Sequence, residues 1–185
     1  MANEVVKRLI NVDEYYKMAE VGILKAEDAV ELIQGEIFQM SPIGSRHAAI
    51  VDYLAKVMNQ LFDGKAIVRV QNPIRFDSNN EPEPDISLLK YRSDYYSTAH
   101  PGSTNVLALI EVAGSSIRFD REVKAPLYAA HNIPECWIID LDNNQIEYFS
   151  KPQGHTYTET RVVGPGAEVW LMGEKFAVNE LLILD

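Results

Sequence analysis

Three carboxylates crowd the segment EPEPDISLLK: Glu81, Glu83 and Asp85, spaced by prolines. Asp85 stands at the mouth of an apolar run suited to burial. A further carboxylate, Glu111, nearly closes the apolar run NVLALIEV. If the two runs are neighbouring antiparallel strands, the start of the first lies beside the end of the second, and Asp85 meets Glu111. An unpaired carboxylate at the end of VLALI is costly to bury. A lysine, a divalent cation, or both must compensate it. Lys124 is the nearby cation. It shares a helix face with Tyr128 at i, i+4. The adjoining stripe Val123, Leu127 and Ala130 is expected to pack on the sheet, leaving Lys124 to reach from its rim toward the strand ends. Two carboxylates, a carbonyl and several waters make a Mg²⁺ site. Such an ion neutralises a phosphate and acidifies bound water, while a lysine orients that water or stabilises charge. The residue types alone also allow a blander arrangement. In it Asp85 merely begins a strand, and Glu111 and Lys124 form a structural ion pair.

The elements that must position these groups follow from periodicity. NVDEYYKMAEVG predicts a helix with Asn11 as cap, Glu14 at the capping-box position and Gly22 at its end. VELIQGEIFQM predicts two strands around Gln34-Gly35. SRHAAIVDYLAKVMNQLF is the strongest helix, with Ser45 as N-cap and Ile50, Leu54, Val57 and Leu61 on one stripe. His47 falls on that same face, near the helix start. AIVRVQNPIRF reads as a strand with Pro73 at an edge or bulge, and DISLLKY as the next. A polar, tyrosine-rich loop, YRSDYYSTAHPGS, leads to NVLALIEV, apolar enough for a central strand covered on both faces. REVKAPLYAAHNI predicts a helix with Pro126 in its first turn or kinking it. ECWIIDL and QIEYFS are strands around a DNN turn. Smaller β pairs run from HTYTE to VWLM, and VNELL closes the chain as a helix. The order implies one sheet with helices on its faces.

The composition narrows the function classes. The chain has 185 residues, 46% of them hydrophobic, as a globular domain with a real core requires. A net charge of −10, from 17 basic and 27 acidic residues, argues against nonspecific coating of nucleic acid and against anionic membranes. The single cysteine, Cys136, rules out an internal disulfide framework and reads as a small buried hydrophobe. No signal-peptide core and no apolar run of ~20 residues is present, which implies a soluble cytoplasmic protein. Asp140, Asp142 and Asn144 superficially match a calcium loop, but Gln145 replaces its glycine and Lys151 its bidentate glutamate. A plain hairpin turn is expected there. Arg118, Arg121 and Lys124 form the one basic cluster, with Arg46, Arg69 and Arg75 as rim residues.

Pro84-Asp85, Glu111 and Lys124 together resemble the pattern of the PD-(D/E)XK nuclease superfamily. The wider set ELIQGEIFQMSP, SRHAAIV, Gln71-x-Pro73-Ile74, EPEPDI, VLALIEVAGSS, DREVKAPLYAAHNIPECWIIDL and IEYF resembles, in order, the Uma-type family of restriction endonucleases, from about Val12 to Gly166. This resemblance implies an α/β fold: a restriction-endonuclease-like mixed central sheet flanked by helices, with extra β hairpins at both ends, as a single domain over 1–185. It also implies a Mg²⁺- or Mn²⁺-dependent endonuclease hydrolysing DNA phosphodiesters, with Asp85 and Glu111 as metal ligands. The superfamily's E-x-K lysine would stand at Ala113, so Lys124 on the following helix takes that role. Glu31 or Glu36 is expected to complete the acidic site, and His47, Gln71 and Tyr128 to line it. A homodimer is expected, because double-strand cleavage needs two sites. Two other readings stay open: a noncatalytic binding or assembly module on a nuclease-derived fold, and a hydrolase of small phosphoesters.

Overall fold

The structure is a computed structural model describing residues 6–183. Residues 1–5 and 184–185 of the expected domain lie outside it. Helix α1 (Val12–Glu20) starts as its sequence requires: the Asn11 side chain accepts the Glu14 amide at 2.9 Å, and Glu14 accepts the Asn11 amide at 3.1 Å. Strands β1 (Val30–Ile33) and β2 (Glu36–Gln39) form a hairpin. Its turn residues Gln34 and Gly35 are both left-handed, with φ of 52° and 74°, as the tightest hairpin turns need.

Helix α2 (Ser45–Leu61) buries Ile50, Val51, Leu54 and Met58, whereas Val57 and Leu61 of the expected stripe are half-buried and exposed. Its N-cap is Gly44, still extended, and not Ser45, which is already wound into the first turn. The central sheet contains β3 (Ala66–Val70), β4 (Ile86–Lys90), β5 (Val106–Ala113), β6 (Glu135–Asp140), β7 (Gln145–Gln153) and β8 (Thr156–Val163), in that spatial order. All neighbours are antiparallel except β5 and β6, which are parallel. A parallel pair needs a crossover, and helix α3 (residues 117–130) supplies it. The second hairpin, β9 (Glu168–Leu171) with β10 (Glu174–Ala177), precedes the short helix α4 (Val178–Leu181). α2, the second hairpin and α4 cover one face of the sheet through Leu54, Leu88, Ile110, Trp137 and Phe176. α3 covers the other through Tyr128 and Ala129, against Leu89, Leu109 and Cys136. This is the mixed sheet flanked by helices, with hairpins near both ends, that the sequence led us to expect. Among the described residues, no helix is long and apolar enough to cross a membrane.

Three local expectations change. β3 ends at Val70 and does not continue to Phe76, because Gln71 turns left-handed at φ 48° and takes the chain off the sheet. Pro73 therefore lies beyond the strand. β8 joins the central sheet as its outer strand and is no part of a small pair; its charges, half-buried Glu159 and exposed Arg161, suit an edge. The third change concerns α3. Pro126 sits in the first turn of the segment Ala125–Ala130, as expected, but Asp120–Lys124 before it is wound wider, as a π segment. Proline gives no amide and crowds the carbonyl one turn back, and a wide turn accommodates it. The extra residue in that turn rotates the helix. Lys124, Ala125, Leu127, Tyr128 and Ala129 are buried, while Val123 and Ala130 are only half-buried. The expected Val123–Leu127–Ala130 stripe is thus replaced by one that carries Lys124 inward.

The N-terminal strap locks the first hairpin. Ile10 donates to the Gly35 carbonyl at 3.0 Å, and Gly35 donates to Asn79 at 2.9 Å. A β-carbon on Gly35 would stand 2.7 Å from Leu9 Cβ and 2.9 Å from the Ile10 carbonyl. Gly35→Ala is therefore expected to cost more than about 1 kcal/mol, since a left-handed backbone is lost together with the space. Urea unfolding of the variant beside wild type measures it.

Candidate active site

The register of β4 on β5 decides the site. Ile86 pairs with Ile110 and Ser87 with Leu109, so Asp85 and Glu111 are the next opposed positions. The Asp85 amide donates to Glu111 Oε2 at 3.4 Å. The Asp85 carboxylate also closes the sheet where β4 ends: Oδ2 accepts the Val112 amide at 2.8 Å. Oδ1 accepts from Gln71 Nε2 at 3.0 Å, and His47 Nε2 lies 3.2 Å from Oδ2. Register places Gln71 there: Val70 pairs with Ile86, and the next residue, Gln71, donates its backbone amide to the Asp85 carbonyl at 3.1 Å. His47 reaches from the first turn of α2, and its Nδ1 is buried without a partner.

From the other side, α3 delivers Lys124. It is 5% exposed, and its ammonium lies 3.1 Å from Glu31 Oε2 and 3.4 Å from Glu111 Oε1. The wide turn is what points it there. Tyr128, one turn on, donates its hydroxyl to Glu111 Oε1. Glu31 comes from β1 and is tied to the segment before β4: its Oε2 accepts the Glu83 amide at 3.1 Å, and Leu32 bonds Glu81. Glu36 does not join them; it is half-buried and pairs with Lys7 at 2.7 Å. The structure thus brings together Asp85, Glu111, Lys124, Glu31, His47, Gln71 and Tyr128. Of the two early acids it selects Glu31.

Two acids escaped the sequence reading. Asp120 is buried in the wide turn and accepts from the Ser116 hydroxyl at 2.9 Å. Its signal was the i, i+4 spacing to Lys124, hidden because the helix was expected to begin only at Arg121. Glu83 is half-buried between Glu31 and Glu81. Most of the remaining basic rim is spent on structure: Arg121 holds Asp140 and Glu147, Arg118 holds Glu122, Arg75 holds Glu81, and Arg46 donates to the Leu141 carbonyl and Asn144, while Arg69 donates to the Tyr95 carbonyl. Asp140 caps its own turn by accepting the Asp142 and Asn143 amides, as a plain hairpin loop does.

The electrostatics record an excess of acid. Burial, with Asp120 and Asp85 nearby, pushes Glu111 up to about 8 despite Lys124. Burial pushes Asp120 up to about 6. Burial and then Glu31 and Glu81 push Glu83 up to about 7. Asp85 differs: burial would raise it, but His47, the Val112 amide and Gln71 outweigh that and hold it below the usual range. Burial works against the charge on Lys124, yet Glu111, Glu31, Asp120 and Asp85 together raise it well above an ordinary lysine. It stays charged, while burial draws Glu111, Asp120 and Glu83 toward their protonated forms. An all-oxygen donor set with surplus negative charge fits a hard divalent cation such as Mg²⁺ or Mn²⁺. Among the described residues no three His, Cys, Asp or Glu side chains converge as a ready-made metal cluster. A cation on Asp85 would therefore have to displace the Gln71 amide or draw Glu111 across.

The profile of the family described as "Uma2: Putative restriction endonuclease" matches residues 12–177. The chain belongs to the Uma2 family. A solved structure described as a putative nuclease belonging to DUF820, from Anabaena variabilis ATCC 29413, shares the fold of this Uma2 chain. It aligns with a TM-score of 0.73 at 21% identity, over 94% of this chain and 98% of its own. No curated protein matches.

The raised acids give this Uma2 protein a distinctive pH response. Glu111, Glu83 and Asp120 bind protons more tightly folded than unfolded, and so does His47, chiefly through Asp85. The carboxyls' contribution is full below their ordinary values of 4.5 and 3.8 and is lost as pH rises through about 6 for Asp120, about 7 for Glu83 and about 8 for Glu111. The lowered Asp85 acts oppositely, but only near and below its ordinary value of 3.8. Urea unfolding in EDTA is expected to give a lower midpoint at pH 8 than at pH 5, and Glu111→Gln is expected to flatten that slope.

Proposed function

We propose that this chain is a divalent-metal-dependent endonuclease that hydrolyses phosphodiester bonds of DNA. The observation that carries the reading is the convergence on Glu111 of Asp85, from the start of β4, and Lys124, from α3: Glu111 Oε2 accepts the Asp85 amide at 3.4 Å and its Oε1 lies 3.4 Å from the Lys124 ammonium. Asp85 and Glu111 are the residues that would hold Mg²⁺ or Mn²⁺. When bound, such an ion supplies Lewis-acid polarisation of the phosphate and an acidified water.

The chain's own groups divide the remaining work. Lys124 is always charged, so it acts as a donor and a fixed positive charge beside the reacting phosphate, and not as a base. Tyr128 and Glu31 hold it and Glu111 in place. Glu111, with Asp120 and Glu83 behind it, is poised near neutral pH to take or give a proton. His47 and Gln71 set the orientation of the Asp85 carboxylate and border the approach of a phosphate. A homodimer would place two such sites on opposite strands. One observation favours the noncatalytic alternative: both Asp85 oxygens are already engaged by protein donors.

The test separates these readings. Mn²⁺ is expected to raise the melting temperature of wild type by mass action, and Asp85→Asn to abolish that shift. Lys124→Met keeps the stem but loses the charge. It is expected to keep metal binding while plasmid nicking falls by roughly two to four decades, the scale of one charge-stabilising group. Wild type that binds Mn²⁺ yet cleaves neither plasmid, single strands nor small diesters is the result that leaves only the module.

A further inference from the structure

The free edge of β3 borders a groove of about 450 Å³, lined among others by Asn59, Arg69, Tyr91 and Tyr95. Tyr91 and Tyr95 are 54% and 60% exposed, unusual for large aromatic rings that pack on nothing larger than each other. Their rings meet edge to face at 6.3 Å, leaving faces open. They are not loose. Tyr95 and Tyr96 are consecutive left-handed residues, φ 50° and 58°. The loop is pinned by Arg69 Nη2 on the Tyr95 carbonyl at 3.1 Å, by the buried Tyr96 hydroxyl on the Lys90 carbonyl at 2.6 Å, and by Arg92 over the Tyr96 ring at 4.6 Å.

Arg69 is the second observation. In a chain so rich in acids, Arg75, Arg92, Arg118 and Arg121 each hold a carboxylate. Arg69 pairs with none among the described residues: its Nη2 donates to the Tyr95 carbonyl, its guanidinium lies 5.7 Å from the centre of the Tyr96 ring, and its Nη1 is buried without a hydrogen-bond partner. The pairing of Arg69 with Ser87 puts it two residues along β4 from Asp85, roughly 7 Å. Strand alternation sets Arg69 on the face of Ile67 and Leu109, the face that also carries Glu111. Exposed aromatic faces beside an unneutralised guanidinium, leading along a strand to a phosphodiester site, are the parts of a single-strand track.

We infer that this groove binds single-stranded nucleic acid, with Tyr91 and Tyr95 stacking on unpaired bases and Arg69 anchoring the backbone. The location rests on the nuclease reading; the binding does not. A duplex hides its base faces from such rings, and the net charge of −10 opposes the broad phosphate contact that duplex binding relies on. The inference names a substrate preference for the acid site: strands with unpaired bases. Asp63 is the one carboxylate in the described lining, and it lies at the end of the groove away from Asp85.

The test reads binding without cleavage. A fluorescent oligothymidylate and a duplex of equal length are titrated in EDTA by anisotropy. Wild type is expected to prefer the single strand. Tyr91→Ala with Tyr95→Ala is expected to weaken it by roughly ten- to a hundredfold, while the paired Phe variants retain binding. Arg69→Met is expected to weaken it and flatten its salt dependence. Melting curves of these surface variants confirm folding. Wild-type preference for duplex, no binding of either, or unchanged binding by the Ala pair overturns the inference. So does self-association lost on Val68→Pro with no oligonucleotide bound, which would make the edge an interface between copies. Cleavage of plasmid with Mn²⁺ despite such a failure leaves the nuclease reading standing, and strand binding without any cleavage does the reverse.

Discussion

One buried ammonium organises this molecule. Lys124 lies between Glu31 and Glu111, on the sheet face that α3 covers. Three separate pieces of chain meet there: the first hairpin, the central strand β5 and the crossover helix. Without the lysine, Glu31 and Glu111 would be two carboxylates buried with no cation, and leaving a buried charge unpaired costs about 3–5 kcal/mol. The hairpin, which pairs with no strand of the central sheet, is held in register with it by this charge and by the Leu32–Glu81 bridge. The lysine gets there only because α3 widens just ahead of Pro126, turning what would have been a rim position into an interior one.

One lysine is not enough for the acids around it. Glu83, Asp85, Glu111 and Asp120 add to Glu31, and three of these are driven toward the neutral form by burial and by one another. A fold that gathers surplus negative charge in this way holds strain that a divalent cation or a proton relieves. A structural salt bridge would need one acid for its lysine.

Much of the fold was legible locally. The capping box at Asn11, the Gln34-Gly35 turn and the extent of helix α2 each follow from short-range rules, whereas its stripe was legible only at Ile50 and Leu54, because Val51 and Met58 are buried in place of Val57 and Leu61. The meeting of Asp85 and Glu111 was legible too, because an antiparallel neighbour leaves a strand-opening and a strand-closing residue no other place to be. The family followed from the order of its motifs along the chain.

What the sequence could not decide were rotations and ends. Helical periodicity assumes 3.6 residues per turn, so it could not foresee that a wide turn brings Asp120 and Lys124 inward and pushes Val123 outward. Alternation along AIVRVQNPIRF gave no sign that the strand would end at Gln71, left-handed and opposite Asp85. Glu31 and Glu36 were equal candidates by spacing. Tertiary contact alone separated them, because Lys124 and the Glu83 amide claim the first while Lys7 claims the second. The types of the reacting groups are local facts written in the chain. Which of them share one ammonium depends on how distant segments pack, and no local pattern carries that.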